Sequence, residues 1–146
     1  MENFIFQNPV KLIMGHGMIA RLSKEIPSDK RIMITSGGGS VKKNGVYDQV
    51  KEALKNFTVV EFGGIEPNPR YETLMKAVDV VKSENIDFLL AVGGGSVLDG
   101  TKFIAAASLY EGEFAWDIVA KQIVVGKALP IGAVLTLAAT GSEMNS

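Results

Sequence analysis

The tetrapeptide Gly-Gly-Gly-Ser occurs twice in this chain, each time after a run of β-formers and before a helical pattern. The first copy, Gly37-Gly38-Gly39-Ser40, follows Arg31-Ile32-Met33-Ile34-Thr35. The second, Gly93-Gly94-Gly95-Ser96, follows Asp87-Phe88-Leu89-Leu90-Ala91-Val92. Glycine lets a backbone approach a ligand closely, and a helix start offers free N–H groups with a partial positive charge. Two such turns in one sheet can hold two parts of one long, phosphate-bearing ligand.

The rest of the chain reads in the same rhythm. Phe4-Ile5-Phe6 and Val10 to Met14 predict short strands, separated by the turn signal Asn8-Pro9. Met18 to Ile26 predicts a helix with Ile19, Leu22 and Ile26 on one face. Residues 31–35 predict a strand. A helix over Val46 to Asn56 follows, with Val46, Val50, Ala53 and Leu54 inward and its start disturbed by Asn44-Gly45. Thr58 to Phe62 predicts a strand, Gly63 to Pro69 a loop stiffened by two prolines, and Tyr71 to Glu84 a helix burying Leu74, Ala77, Val78 and Val81. Residues 87–92 form the near-continuous apolar run of a strand buried on both faces. Val97 to Leu109 predicts a helix apolar nearly all round, hence buried. Tyr110 to Lys127 has no clear period; Ile131 to Leu135 predicts a last strand, and Thr136 to Ser146 a loop.

Strand and helix in alternation imply an α/β domain over residues 1–146: a Rossmann-like parallel sheet with helices on both faces. Right-handed crossovers place every strand-to-helix turn on one edge, where such sheets bind ligands.

Composition removes several function classes. The net charge of −1 gives no basis for electrostatic capture of nucleic acid or an anionic membrane. Cysteine is absent, so disulfides and thiolate metal sites are excluded, in keeping with a reducing compartment. The N-terminus has no basic segment followed by a long apolar run, and no stretch approaches the roughly 20 residues that span a bilayer. The expectation is a cytoplasmic protein.

Two nucleotide motifs are missing. No glycine completes G-x-G-x-x-G after Gly95, and no G-x-x-x-x-G-K-[ST] occurs. What stands instead is GGGSVLDGTK over residues 93–102. Gly94, Gly95 and Ser96 supply N–H groups and a hydroxyl for a pyrophosphate. Asp99, one turn on, can accept hydrogen bonds from a ribose or a carboxamide. Lys102 is spaced to pair with Asp99. The alternative reading of these residues is a glycine turn followed by an acid that serves the helix dipole.

GGGSVLDGTKFIAAA (93–107), GGGSVKKNGVYDQV (37–50), Gly63 to Pro69, and Leu135-Thr136-Leu137-Ala138-Ala139-Thr140-Gly141-Ser142-Glu143 together resemble the iron-containing alcohol dehydrogenases. The resemblance is closest to the NADPH-dependent butanol dehydrogenase and aldehyde reductase branch, and it runs the length of the chain in order. It implies a cofactor domain followed by an all-helical metal domain that lies beyond these residues. It implies that Gly94, Gly95 and Ser96 hold the pyrophosphate and that Asp99 sits towards the nicotinamide. Asn68 would touch the adenosine side. Thr136 and Leu137 would line the adenine pocket, Leu137 standing where many members have a second threonine.

The first glycine turn has its own implication. NAD-preferring relatives carry an aspartate there that binds the ribose 2′-hydroxyl; this chain has Gly37, Gly38, Gly39 and Ser40. A carboxylate would repel a 2′-phosphate of roughly −1.5 to −2 charge, whereas glycines leave room and offer N–H donors. Lys42 or Lys43 adds positive charge. The implied cofactor is therefore NADP(H), the alternative being a mere tight turn.

The resemblance also implies iron, or zinc, as a Lewis acid on the alcohol or aldehyde oxygen, held by an aspartate and three histidines outside this chain. The one histidine here, His16, lies in Gly15-His16-Gly17 and reads as a surface group. No catalytic residue and no metal ligand is assigned to the chain, and alone it is expected to be inactive. A homodimer is implied for the full enzyme, and exposed apolar surface is expected where the helical domain would pack. Two other readings stand: a glycerol dehydrogenase or dehydroquinate synthase relative, and a nucleotide-binding module without catalysis of its own.

Overall fold

A computed structural model describes residues 7–139 and 141–145. Four strands, β1 (Arg31–Ser36), β2 (Thr58–Phe62), β3 (Phe88–Gly93) and β4 (Ile131–Leu135), form one sheet in the order β2-β1-β3-β4. Every pair is parallel. The helices between them are α2 (Ser40–Lys43), α3 (Val46–Ala53), α4 (Tyr71–Ser83), α5 (Gly95–Leu109) and the single turn α6 (Asp117–Ala120). A further turn, α1 (Leu22–Glu25), precedes β1.

The apolar runs at β1 and β3 follow from burial on both faces. Ile32 and Ile34 join Leu90 and Val92 under α1 and α3, with Ile26, Val50 and Leu54. Met33, Leu89 and Ala91 face the other way, against Leu74, Ala77 and Val78 of α4 and Val97, Leu98, Ile104 and Ala105 of α5. Burying one such side chain contributes roughly 1.5–3 kcal/mol, and with both faces covered successive residues of each strand, not just alternate ones, gain from being apolar. Helix α5 is pressed between sheet and α4, which is why its sequence lacks a polar face. A Cβ on Gly100 would lie 3.0 Å from Leu74 Cδ2, so glycine there lets α5 approach α4.

Three expectations need correction. Val10 to Met14 is not a strand. Residues 7–14 pair with no strand among the described residues, Leu12 and Met14 are exposed, and the segment is tied down by side chains. Asn8 Nδ2 donates to Met144 O at 2.9 Å, and Lys11 pairs with Glu25. An apolar alternation becomes a strand only where a neighbour completes its ladder. Phe4-Ile5-Phe6 lies outside the described residues. The helix expected over Met18 to Ile26 is split into a 3₁₀ turn, Met18–Arg21, and α1. The helix expected to reach Asn56 ends at Ala53, its end turned by the Phe57 N–H to Leu54 O bond of 2.9 Å.

Candidate functional site

Strand β1 leaves the sheet through α2 and α3 on one face, and its neighbour β3 leaves through α5 on the other. Between their carboxyl ends the chain departs in opposite directions and opens a crevice. Open α/β sheets bind ligands at such a switch point. Both glycine turns border it.

The turn at 93–96 is rigid. A Cβ on Gly93 would come within 2.8 Å of Val97 Cγ2, so glycine allows the strand to run directly under the helix start. Thr136 N–H donates to Gly93 O at 2.9 Å, tying the end of β4 to this turn. Leu98 N–H donates to Gly94 O at 3.2 Å and no side chain caps the helix. The N–H groups of Gly95, Ser96 and Val97 thus precede the first bond within the helix and carry its positive end. A Cβ at Gly94 would meet nothing within 4 Å, so a ligand can reach the backbone there.

Beneath this turn lies a buried hydroxyl pair. Thr101 Oγ1 donates to Val97 O at 2.7 Å, which leaves it to accept from Thr35 Oγ1 at 2.6 Å. The contact pins α5 to β1 and so sets one turn against the other.

The turn at 37–40 is looser. Gly39 has φ 106, a left-handed conformation that glycine adopts without strain, and Gly38 and Gly39 face open space. Ser40 is exposed at the start of the four-residue helix α2. Gly64 N–H donates to Gly37 O at 3.2 Å and Ile65 N–H to Ser36 O at 3.1 Å. The loop after β2 is thereby laced to this turn, and it carries Asn68, exposed and left-handed at φ 57.

Charge near the first turn is organised by Glu61 at the end of β2. Its carboxylate accepts Lys51 Nζ at 2.5 Å and the Tyr47 hydroxyl, which hold its pKa below the ordinary value. Burial and then Glu61 push the Tyr47 hydroxyl up to about 12. Lys42 Nζ lies 5.1 Å from the Tyr47 ring centroid, a cation–π placement, while Lys43 is exposed with no partner among the described residues. Lys42 is therefore a charge already in use, and Lys43 a free one.

Asp99 is exposed on the first turns of α5, but the expected pair with Lys102 does not form. Lys102 Nζ instead reaches Asn145, donating to its backbone oxygen at 2.7 Å and to Oδ1. The loop after β4 folds back over α5 and brings the Asn145 carbonyl and side-chain oxygens onto Lys102 Nζ. Among the described residues Asp99 has no partner; it lies at the rim of a pocket of about 240 Å³ lined by Pro69, Tyr71, Leu74, Phe103 and Trp116. Tyr71 meets both Phe103 and Trp116 edge to face. Leu137 is 67% exposed beyond β4. Thr140 and Ser146 lie outside the described residues.

The structure thus gathers Gly37 to Ser40, Gly94 to Ser96 and Thr136 along one edge, with Asn68 and Asp99 on the flanking loop and helix. Sequence reasoning passed over Thr35, Thr101, Glu66 and Thr73. Two threonines inside apolar runs were the available sign of the first pair. His16 is exposed in its turn, and among the described residues no group of three or more His, Cys, Asp or Glu can hold a metal.

A parallel four-stranded sheet with glycine turns at its switch point and helices on both faces defines a Rossmann-like α/β domain. This chain belongs to the iron-containing alcohol dehydrogenase family, whose profile matches residues 9–146. It is 58% identical to the NADPH-dependent aldehyde reductase YqhD of Escherichia coli (strain K12), over 100% of this chain and 38% of that protein. It is 56% identical to a probable NADH-dependent butanol dehydrogenase 1 of Bacillus subtilis (strain 168), again over 100% of this chain and 38% of the relative. A crystal structure of NADH-dependent butanol dehydrogenase A from Thermotoga maritima superposes with a TM-score of 0.93 at 47% identity. The match covers 99% of this chain and 37% of that one. The chain therefore spans under two fifths of each of these relatives, and no helix among the described residues is long and apolar enough to cross a membrane.

Proposed function

We propose that residues 1–146 form the cofactor-binding domain of a metal-dependent alcohol dehydrogenase or aldehyde reductase, acting on a primary alcohol or aldehyde and preferring NADP(H) to NAD(H). The observation that carries this reading is the meeting of both glycine turns at one switch point. Gly94, Gly95 and Ser96 bind the pyrophosphate through the free N–H groups of α5. Asp99 accepts from the nicotinamide half, and Asn68, Thr136 and Leu137 flank the adenosine. Gly37 to Ser40 take the 2′-phosphate, for which Gly38 and Gly39 leave space and Lys43 supplies an unspent charge.

The bound nicotinamide supplies the hydride acceptor or donor; this chain's residues hold and orient it. The metal is a different matter. The described residues do not fit iron or zinc, so no step through a metal is assigned to them. The 146-residue chain alone is expected to bind cofactor without oxidising alcohol; turnover by it, with nothing added, would overturn that.

Relatives named for NADPH and for NADH match this chain almost equally, so overall identity does not choose the cofactor. Fluorescence titration of the chain with NADPH and with NADH, metal omitted, decides it. Tighter NADPH binding is expected; equal affinity defeats the preference, and no binding of either defeats the cofactor reading. Exposed Leu109, Phe114, Trp116, Val119 and Leu137 suit self-association or a homodimer. Purely monomeric sedimentation at high concentration would count against that.

A further inference from the structure

We propose that Glu66 is a positioning residue for the adenosine end of the crevice, its carboxylate latching the loop 63–70 to the start of α4 so that Asn68 is held left-handed. The proposal rests on the cofactor reading above and deepens it.

The loop begins firmly: Gly64 and Ile65 are bonded to Gly37 and Ser36, and Ile65 is buried. Its far end has no comparable tie, for Arg70 at the start of α4 gives no side-chain cap. Between them Asn68 stands at φ 57, and it precedes Pro69. A proline biases the residue before it towards extended conformations, and the left-handed region, although asparagine tolerates it better than other residues with a Cβ, is disfavoured there. Such a conformation persists only where the surroundings over-determine it.

Glu66 is the group that does so. Its Oε1 accepts from Thr73 Oγ1 at 2.7 Å, across the bend that contains Asn68. The N–H groups of Glu66 and Arg70 also approach the carboxylate. Thr73 first, and these after it, hold its pKa below the usual value, so it is ionised at neutral pH. A carboxylate at this place also faces the positive end of α4. Oε2 is closed off from solvent and has no hydrogen-bond partner among the described residues. One carboxylate thus spans residues 66–73 and fixes the conformation of the bend at Pro67-Asn68 that leads into α4.

The test uses the 146-residue chain, with adenosine 2′,5′-bisphosphate and nicotinamide mononucleotide as separate calorimetric probes. Glu66→Ala and Thr73→Val should each weaken the bisphosphate about tenfold, the loss expected for one hydrogen bond to a charged group. Thr73→Ser, which keeps the hydroxyl, should restore wild-type affinity. Nicotinamide mononucleotide should bind all four proteins alike, and the Asn68 side-chain amide signal should shift in the two weakened variants. Unchanged bisphosphate affinity in Glu66→Ala and Thr73→Val overturns the positioning role and leaves the cofactor reading standing. Equal loss for both probes assigns Glu66 to general stability and likewise overturns it. Failure of the wild-type chain to bind either probe is the separate outcome that removes the cofactor reading and, with it, this inference.

Discussion

The two Gly-Gly-Gly-Ser turns are identical in sequence and unlike in structure. The copy at 93–96 opens a helix of 15 residues that is buried against sheet and α4. The copy at 37–40 opens one of 4 residues, stopped by Asn44-Gly45, before the chain restarts as α3. In the first case Gly93 is fixed by contact with Val97; in the second Gly38 and Gly39 stand in open space. The tetrapeptide supplies backbone freedom, and the residues after it decide whether that freedom is used for packing or left for a ligand. A rigid turn suits the part of a dinucleotide common to both cofactors, an open one the part in which they differ.

The largest effect expected from breaking this contrast is Gly93→Ala. Its Cβ would press on Val97 in a fully packed turn, at a cost of roughly 1–3 kcal/mol. Urea unfolding should show the loss as a lower midpoint with an unchanged slope. Gly39→Ala, where space is free and only the φ of 106 resists, should cost less, about 1–2 kcal/mol. Equal losses would dissolve the distinction between the turns.

Thr101→Val comes next. It removes the buried bond that sets α5 against β1 and leaves Thr35 with a distant acceptor, Leu90 O at 3.4 Å. The expected loss is about 1–2 kcal/mol, and the double variant Thr35→Val with Thr101→Val should lose less than the sum of the singles. Strict additivity in the double-mutant cycle would deny the coupling.

Gly38→Asp sharpens the comparison on the binding side. Its Cβ has room, so stability should stay within about 0.5 kcal/mol. NADPH affinity should nevertheless fall about tenfold relative to NADH, since a carboxylate then faces the 2′-phosphate. The same substitution at Gly94, under the common pyrophosphate, should weaken both cofactors alike. A Gly38→Asp chain that keeps its NADPH preference would remove the selective role of the first turn.

The smallest effect concerns pH. The folded pKa of Glu61 is depressed, so its contribution is present above about 4.5 and is lost as pH falls through the lower folded value. Tyr47 is raised to about 12, so its contribution is full below 10 and fades as pH rises through 12. The Glu61–Lys51 pair is half exposed and should contribute under about 1 kcal/mol, screened by salt. Ultraviolet titration should find one tyrosine ionising near 12, absent in Tyr47→Phe and shifted down in Glu61→Gln. A Tyr47 that titrates normally would break the link between β2 and α3 beside the first turn.

Much of the fold was legible because it is local. Strand β4 matches its expected bounds, and α4 differs from its own by one residue, since alternation and 3.6-residue spacing are properties of neighbouring residues. Val10 to Met14 misled because its pattern is that of a strand, while the partner a strand needs is not a local property. The site was legible in its glycines and less so in its side chains. Asp99 and Lys102 have the spacing of a helix pair, yet Lys102 is taken by Asn145, 43 residues away. Glu66 was hidden because an acid before a helix is common, and only the bend of Pro67-Asn68-Pro69 brings it onto Thr73.

By itself the sequence determined the alternation of strands and helices, the two-sided burial of β1 and β3, and the backbone freedom of the two turns. Each is set by a few residues and their periodicity. Tertiary structure alone decided the order β2-β1-β3-β4, which makes the strands bearing the two turns neighbours. It also decided the meeting of Thr35 with Thr101 and the fates of Asp99, Lys102 and Glu66. The physical reason is that helices choose their sheet face by burying apolar stripes against distant strands. That choice, made across the whole core, turns two identical tetrapeptides into opposite sides of one crevice.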